Sequence, residues 1–414
     1  MGSHASEAGL PRAAWAAVAA GAAVRVVHWL TLWNRDLLLN DSWYYSGQAR
    51  QLAQGVWFRE LFFDHPGAEH GPLTSLLMAP VSHGPHYQNW QRLVTVLCGV
   101  ALLWVIGRIA LDIFDERVAI VAVWVAAIYP NLWMNDGLVM SESISVLLVA
   151  VCLWTAWRAV HHPSRRADIL LGVSLGLAVL ARSELVLFAP LVVGWMWWSR
   201  RRTHGSLRSV LTAAALSAGV LVPWVTFNMV RFERPVVLTT NDGTTLLGAN
   251  CPDTYSGDVI GGWTIDCVSG RSDYDPAEEP SVRSARQRSQ AISFAVGHVG
   301  SAPKVVAARV MRTLDLYGLG NLVQQDVGEE RPRWAVWSGI VLFWVLAPMA
   351  VYGGRLVARP QRLLLLAPVF SVLVTTVLFY GAHRIRSSAE PTLVVLAAVA
   401  LVHAYEPGRR RVPG

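Results

Sequence analysis

Apolar residues come in long blocks along this chain, without the alternation of a half-buried strand. Runs of roughly 15–25 apolar residues, the length a helix needs to cross a bilayer, fall near 13–33, 92–111, 117–133, 140–160, 168–181, 184–199, 208–230, 334–356, 362–380 and 389–405. The pattern predicts an all-α polytopic membrane protein with about ten transmembrane helices. Pro130, Pro190 and Pro223 interrupt several blocks. Two long polar stretches separate the blocks, residues 34–91 and 231–333. They divide the chain into an N-terminal transmembrane module over 1–230, an external loop region over 231–333 and C-terminal helices over 334–414.

Each loop has its own pattern. Asp41 to Gln54 reads as a helix ended by Gly55, lying along the membrane surface. Phe58 to Phe63 is aromatic, and Asp64 to Leu73 is rich in turn residues. In the second loop, Ser281 to Arg312 reads as a basic helical stretch. No internal repeat is evident, although transporters built from inverted repeats carry one.

Composition agrees with the blocks. Charged residues make up 15% of the chain and hydrophobic residues 53%, with a mean hydropathy of +0.38, whereas soluble domains are about 25% charged. The net charge of +7 rests on arginine, because Lys304 is the only lysine. The arginines sit at block ends, as topology signals and snorkelling anchors, which argues against a nucleic-acid surface. Trp195, Trp197 and Trp198 before Arg200, Arg201 and Arg202 read as an interfacial belt. No small-residue cleavage site follows the first block, which is expected to stay as an anchor.

Arginine also orients the blocks. Clusters at Arg158, Arg165 and Arg166, at Arg200 to Arg208, at Arg355 to Arg362 and at Arg409 to Arg411 all fall on one side if the blocks alternate. The positive-inside rule makes that side cytoplasmic. The loops 34–91, 134–139, 182–183, 231–333 and 381–388 then face outward, as expected for a multi-pass plasma-membrane protein. Arg182, Arg231, Arg234, Arg384 and Arg386 lie on the outward side against this bias, and binding an anion would explain them. Of the four cysteines, Cys98 and Cys152 lie in apolar blocks. Cys251 and Cys267 share the second polar loop and are expected to pair if that loop lies outside the cytoplasm.

The candidate chemistry starts at Asp41, in Asn40-Asp41-Ser42-Trp43-Tyr44-Tyr45, just after the first block. A carboxylate there is costly near lipid and usually faces a water-filled cavity. The plainer reading is an acidic helix N-cap. Downstream come Ala53-Gln54-Gly55, Glu69-His70-Gly71-Pro72-Leu73-Thr74, Gln91-Arg92-Leu93, Tyr129-Pro130 through Met140-Ser141-Glu142, and Leu180-Ala181-Arg182-Ser183-Glu184. Pro223-Trp224 with Asn228, Thr240-Asn241-Asp242-Gly243, Arg384-Ile385-Arg386 and Glu390-Pro391 follow. In this order they resemble the polytopic glycosyltransferases of the GT-C superfamily, in the branch related to protein O-mannosyltransferases and aminoarabinose transferases (glycosyltransferase family 39-like).

That resemblance implies a membrane enzyme that moves a sugar from a polyprenyl-phosphate donor at the outer face. The acceptor would be a cell-envelope glycan, lipid or protein. It implies Asp41 as catalytic base, with Tyr44, His70, Arg92, Glu142, Arg182, Glu184, Arg384 and Arg386 as substrate-binding positions. The family often has Asp-Glu where this chain has Asp41-Ser42, so the second carboxylate is missing. Its basic-Pro-Pro-Leu pattern is here His70-Gly71-Pro72-Leu73, with His70 in the place of the basic group. Glu142 reads equally as a charge on a helix N-terminus, and Glu184 as a partner for a nearby arginine. No cofactor is expected, with a divalent metal as the less favoured alternative. His65, Glu69 and His70 have no structural-zinc spacing, and no glycine-rich loop precedes a Lys-Ser or Lys-Thr pair to cradle a nucleotide. Two other readings remain at this point: a transporter or flippase for polyprenyl lipids or sugars, and an inactive relative that only binds the lipid phosphate.

Overall fold

In the computed structural model, residues 9–38, 40–202, 206–270 and 272–405 are described, and among these the regular structure is helical, without a strand. The cluster Arg409 to Arg411 lies outside the described residues. The first half carries α1 Arg12–Thr31, α2 Asp41–Ala53, α3 Leu73–Met78, α4 Tyr87–Ile113, α5 Glu116–Ile128 and α6 Pro130–Trp133. It continues with α7 Glu142–His161, α8 Arg165–Ala181, α9 Phe188–Arg202 and α10 Leu207–Arg231. The second polar segment forms α11 Asn241–Ala249, α12 Pro252–Tyr255, α13 Asp266–Ser269, α14 Pro280–Gly297, α15 Ala302–Thr313 and α16 Leu319–Gly328. The chain returns to the bundle in α17 Arg333–Leu356, α18 Arg359–Leu378, α19 His383–Arg386 and α20 Glu390–Tyr405.

Seven helices are long and apolar enough to cross a membrane, or eight if the bent pair α14–α15 counts as one span. About ten were expected, and the difference has a physical origin. The blocks near 117–133, 168–181 and 184–199 form α5, α8 and α9, of 13, 17 and 15 residues. At 1.5 Å per residue these are roughly 20–26 Å long, short of a hydrocarbon core of about 30 Å. Tyr129-Pro130 breaks the first block, because proline cannot continue the helical hydrogen bonding. A 3₁₀ turn at Ser183–Leu187 shortens the third. The basic stretch from Ser281 to Arg312 is likewise two helices, bent by 73°.

The main core joins α1, α4, α5, α7, α8, α9 and α20 through alanine and branched aliphatic residues such as Ala14, Leu103, Ala122, Val149, Leu175 and Ala397. Small residues allow the close helix approach that packing in lipid depends on. At one end of the bundle, five segments widely separated in sequence converge. They are residues 34–91, the turn before α7, the turn after α8, the segment 231–333 and the turn before α19. Each overlaps one of the five loops that alternation placed on one side.

Cys251 and Cys267 form a disulfide within the second segment, and Cys98 and Cys152 are free. Thiol labelling of unreduced, folded protein should therefore leave Cys251 and Cys267 untouched. The bridge spans a sequence separation of 16. Cys251→Ser should destabilise the segment by about 3 kcal/mol on the loop-entropy argument, read as earlier proteolysis of residues 251–267.

Candidate active site

α2 begins where Asn40 accepts the Ser42 backbone N–H at 2.8 Å. Asn40 is thus the N-cap, and the Asp41 side chain is free for other partners. It accepts from the Arg384 Nη2 group at 3.0 Å, and its second oxygen lies 3.5 Å from the His70 ring nitrogen Nε2. Asp41 lines a cavity of about 310 Å³ at the converging end of the bundle. The cavity is bounded by Asp41, Tyr45, Glu69 and His70 on one side, and by Arg182, Glu184, Asp242, Tyr380 and Arg384 on the others. Val186, Leu187, Leu378 and Phe379 give it an apolar flank.

His70 is held by a close backbone contact. A Cβ on Gly71 would sit 2.3 Å from the Leu180 carbonyl oxygen, so only glycine lets the loop lie against the end of α8. That approach brings His70 and Arg182 to the same cavity. Tyr45 stacks on the His70 ring at 4.9 Å, and Tyr44 meets it edge-on at 5.2 Å.

Glu142, at the start of α7, is fully buried behind the cavity wall. One of its oxygens accepts from Arg182 Nη1 at 2.8 Å and from Arg384 Nε at 3.1 Å. It thereby holds two guanidinium groups side by side, and Arg182 also pairs with Glu184. Guanidinium presents several donors in a fixed fork suited to phosphate.

The charges shape the titration of the groups outside the spans. Burial disfavours the Asp41 carboxylate, but His70 and Arg384 outweigh it and hold its pKa far below the usual carboxylate range. Burial pulls His70 the other way, yet the pairing with Asp41 raises its pKa overall, favouring imidazolium. Beside the cavity, burial and then the charge of Glu69 push Glu60 up to about 7.

The nine sequence-selected positions separate into two groups. Asp41, His70, Arg182, Glu184 and Arg384 line the cavity, with Glu142 immediately behind. Tyr44 does not line it: its hydroxyl accepts the Glu69 backbone N–H at 2.9 Å, and the neighbouring Tyr45 takes the wall position. Arg92 is fully buried, donating to the carbonyls of Leu32 and Arg35 and pairing with Glu330 at 2.7 Å. It ties the end of α1 to α4. Arg386 is buried away from the cavity between Asp315 at 2.9 Å and Glu390 at 2.7 Å, with its guanidinium carbon 3.5 Å from the Phe343 ring centre.

Sequence reasoning passed over Glu329 and Arg331. Glu329 pairs with both Arg384 and Arg331. Arg331 is buried, donates to Asn135 at 2.9 Å and pairs with Asp326 at 3.2 Å. The available signal was the charged run Glu329-Glu330-Arg331 directly before an apolar block. Among the described residues no group of three His, Cys, Asp or Glu side chains is placed to hold a metal ion.

This helical architecture shares its polytopic fold with solved oligosaccharyltransferases. Residues 70–227, fewer than half of the chain, match the family described as dolichyl-phosphate-mannose-protein mannosyltransferase. A structure of the oligosaccharyltransferase of Archaeoglobus fulgidus, in complex with Zn and sulfate, is similar with a TM-score of 0.61 and 16% identity. That likeness covers 97% of this chain and 50% of the other. A structure of the archaeal oligosaccharyltransferase AglB of the same organism, in complex with an inhibitory peptide and a dolichol-phosphate, has a TM-score of 0.57 and 16% identity, covering 95% and 51%. Dolichyl-phosphooligosaccharide-protein glycotransferase 3, also of Archaeoglobus fulgidus, is 22% identical over 237 residues, covering 49% of this chain and 27% of that protein. The chain thus spans about half the length of the solved relatives and about a quarter of the curated one. At these identities the structural likeness establishes the fold.

Proposed function

We propose that this protein is a membrane glycosyltransferase that moves a sugar from a polyprenyl-phosphate-linked donor to an acceptor hydroxyl on the outer face of the membrane. The observation that carries the reading is one cavity joining a carboxylate, Asp41, to two guanidinium groups, Arg182 and Arg384, beside an apolar flank. A lipid-linked sugar phosphate needs all three features. The apolar flank takes the start of the prenyl chain, the arginines meet the phosphate, and Asp41 faces the acceptor.

In the transfer the acceptor oxygen attacks the anomeric carbon, the bond from that carbon to the phosphate oxygen breaks, and polyprenyl phosphate departs. Asp41 takes the acceptor's proton as the new bond forms. The arginines stabilise the charge gathering on the leaving phosphate. Without donor, Asp41 is a weak base, because Arg384 and His70 hold its negative charge. A donor phosphate competes for Arg384, weakens its hold on Asp41 and raises the basicity of the carboxylate. Catalytic competence is then coupled to donor binding. The dolichol-phosphate held by the archaeal oligosaccharyltransferase supports a lipid phosphate as the anion.

Donor affinity tests the phosphate assignment. Charge-assisted contacts contribute about 1.5–3 kcal/mol each. Arg182→Ala should therefore weaken dolichyl phosphate binding in nanodiscs by roughly ten- to a hundredfold. Arg182→Lys should recover only part, lacking the planar fork. Equal affinity in all three proteins would mark Arg182 as an interfacial anchor and remove it from the site.

A further inference from the structure

The missing second carboxylate beside Asp41 has a spatial counterpart far along the chain. Ser42 is buried, and no acid follows Asp41 in α2. On the opposite side of Arg384, Glu329 supplies a carboxylate from the end of α16. Three acids from three segments thus share one guanidinium: Asp41 from α2, Glu142 from α7 and Glu329 from the turn before α17.

That turn is firmly held. Glu330 adopts φ 70°, a left-handed conformation uncommon for a residue other than glycine. The Arg331 backbone N–H donates to the Asp326 carbonyl at 3.0 Å. The Glu330 side chain pairs with Arg92 and accepts the Leu38 backbone N–H at 3.3 Å. Arg92 and Leu38 flank the loop that delivers Asp41. Consecutive residues of one turn therefore clamp Arg384 and Arg92, and through Arg92 the entrance of the Asp41 loop. Such an unusual backbone conformation persists where its surroundings over-determine it, often beside functional sites.

We infer that Glu329 is a positioning residue for the transfer, setting how strongly Arg384 holds Asp41. This rests on the donor reading given under Proposed function. Glu329 draws part of the guanidinium's hydrogen bonding away from Asp41, which keeps the carboxylate basic enough to act. It also lowers the net positive charge that the donor phosphate meets. Removing its charge should thus move binding and turnover in opposite directions, as loss of structure alone would not.

The experiment compares the wild type, Glu329→Gln and Glu329→Asp in nanodiscs. Dolichyl phosphate is the binding probe and dolichyl-phosphate mannose the donor. Glu329→Gln should bind dolichyl phosphate about three- to tenfold more tightly, since one partly screened negative charge is gone. It should release dolichyl phosphate from the donor roughly ten- to a hundredfold more slowly, because Arg384 then leans on Asp41 and the geometry shifts. Glu329→Asp, which keeps the charge on a shorter stem, should lie between the two in both measurements. Unchanged binding and turnover in Glu329→Gln, or a parallel loss of both with a lowered melting temperature, overturns the positioning role alone. A wild type that does not bind dolichyl phosphate overturns the donor reading first, and the role of Glu329 with it.

Discussion

Asp41→Asn should lower sugar transfer by a factor of about 10² to 10⁴ while leaving the fold intact, the range typical for loss of a general base. Asparagine keeps the size of the side chain and can still accept one hydrogen bond from Arg384. It cannot take up the acceptor's proton. The charge effects at the site add a second expectation. Asp41 now opposes the approach of the donor phosphate, and it also occupies Arg384. Its neutralisation should strengthen binding of dolichyl phosphate even as turnover collapses. Tight binding with near-normal turnover would dismiss Asp41 as the base. Tight binding with no turnover in either the variant or the wild type would indicate a lipid-phosphate binder without transferase activity.

Arg386→Ala should act on stability, at a cost of about 3–5 kcal/mol, the range for breaking a buried ion pair by removing one partner. Its guanidinium lies between Asp315 and Glu390 and donates to the Thr313 carbonyl at 2.6 Å. Glu390 is itself bonded to the Tyr129 hydroxyl at 2.9 Å. Truncation leaves two buried carboxylates, Glu390 without its guanidinium partner and Asp315 held only by His383 at 3.0 Å. Thermal unfolding in detergent is the measurement. The triple replacement Arg386→Met, Asp315→Asn and Glu390→Gln should regain part of the loss, because it removes the three charges that meet at Arg386 and leaves His383 with Asp326. A normally stable Arg386→Ala protein with weakened dolichyl phosphate binding would instead return Arg386 to the phosphate site.

The contrast between Arg384 and Arg386 marks where the sequence stops being readable. The two residues are two apart on one short helix, so their side chains point about 200° apart. One enters the cavity and the other enters the core. Both stand on the same side of the apolar blocks and in the same short motif, so neither topology nor resemblance separates them. Arg92 is similar: its partner Glu330 lies 238 residues away. Long blocks of apolar residues foretold the spans, because the hydrocarbon thickness sets their length. They could not foretell that a proline or a 3₁₀ turn would shorten α5 and α9. The convergence of Asp41, Glu142, Arg182 and Arg384 was legible because each is an ionisable group at the end of an apolar block. Glu329 was not, since the charged run Glu329-Glu330-Arg331 before the next apolar block does not show which of its two acids turns toward Arg384.

The span of sequence across the cavity has a consequence for biosynthesis. Asp41 and Arg384 touch, yet 343 residues separate them. A ribosome at the usual pace of about 5–20 residues per second needs roughly 20–70 s to make the interval. During that time the nascent protein carries an Asp41 with no arginine partner and a Glu142 without its Arg384 contact. The chain released early from the ribosome would retain these unbalanced acids at the membrane surface. Docking of the segment that carries Arg384 is therefore needed to balance Asp41 and Glu142, and a chain truncated before Arg384 should be cleared faster by cellular proteolysis even though most of its helices are already in place.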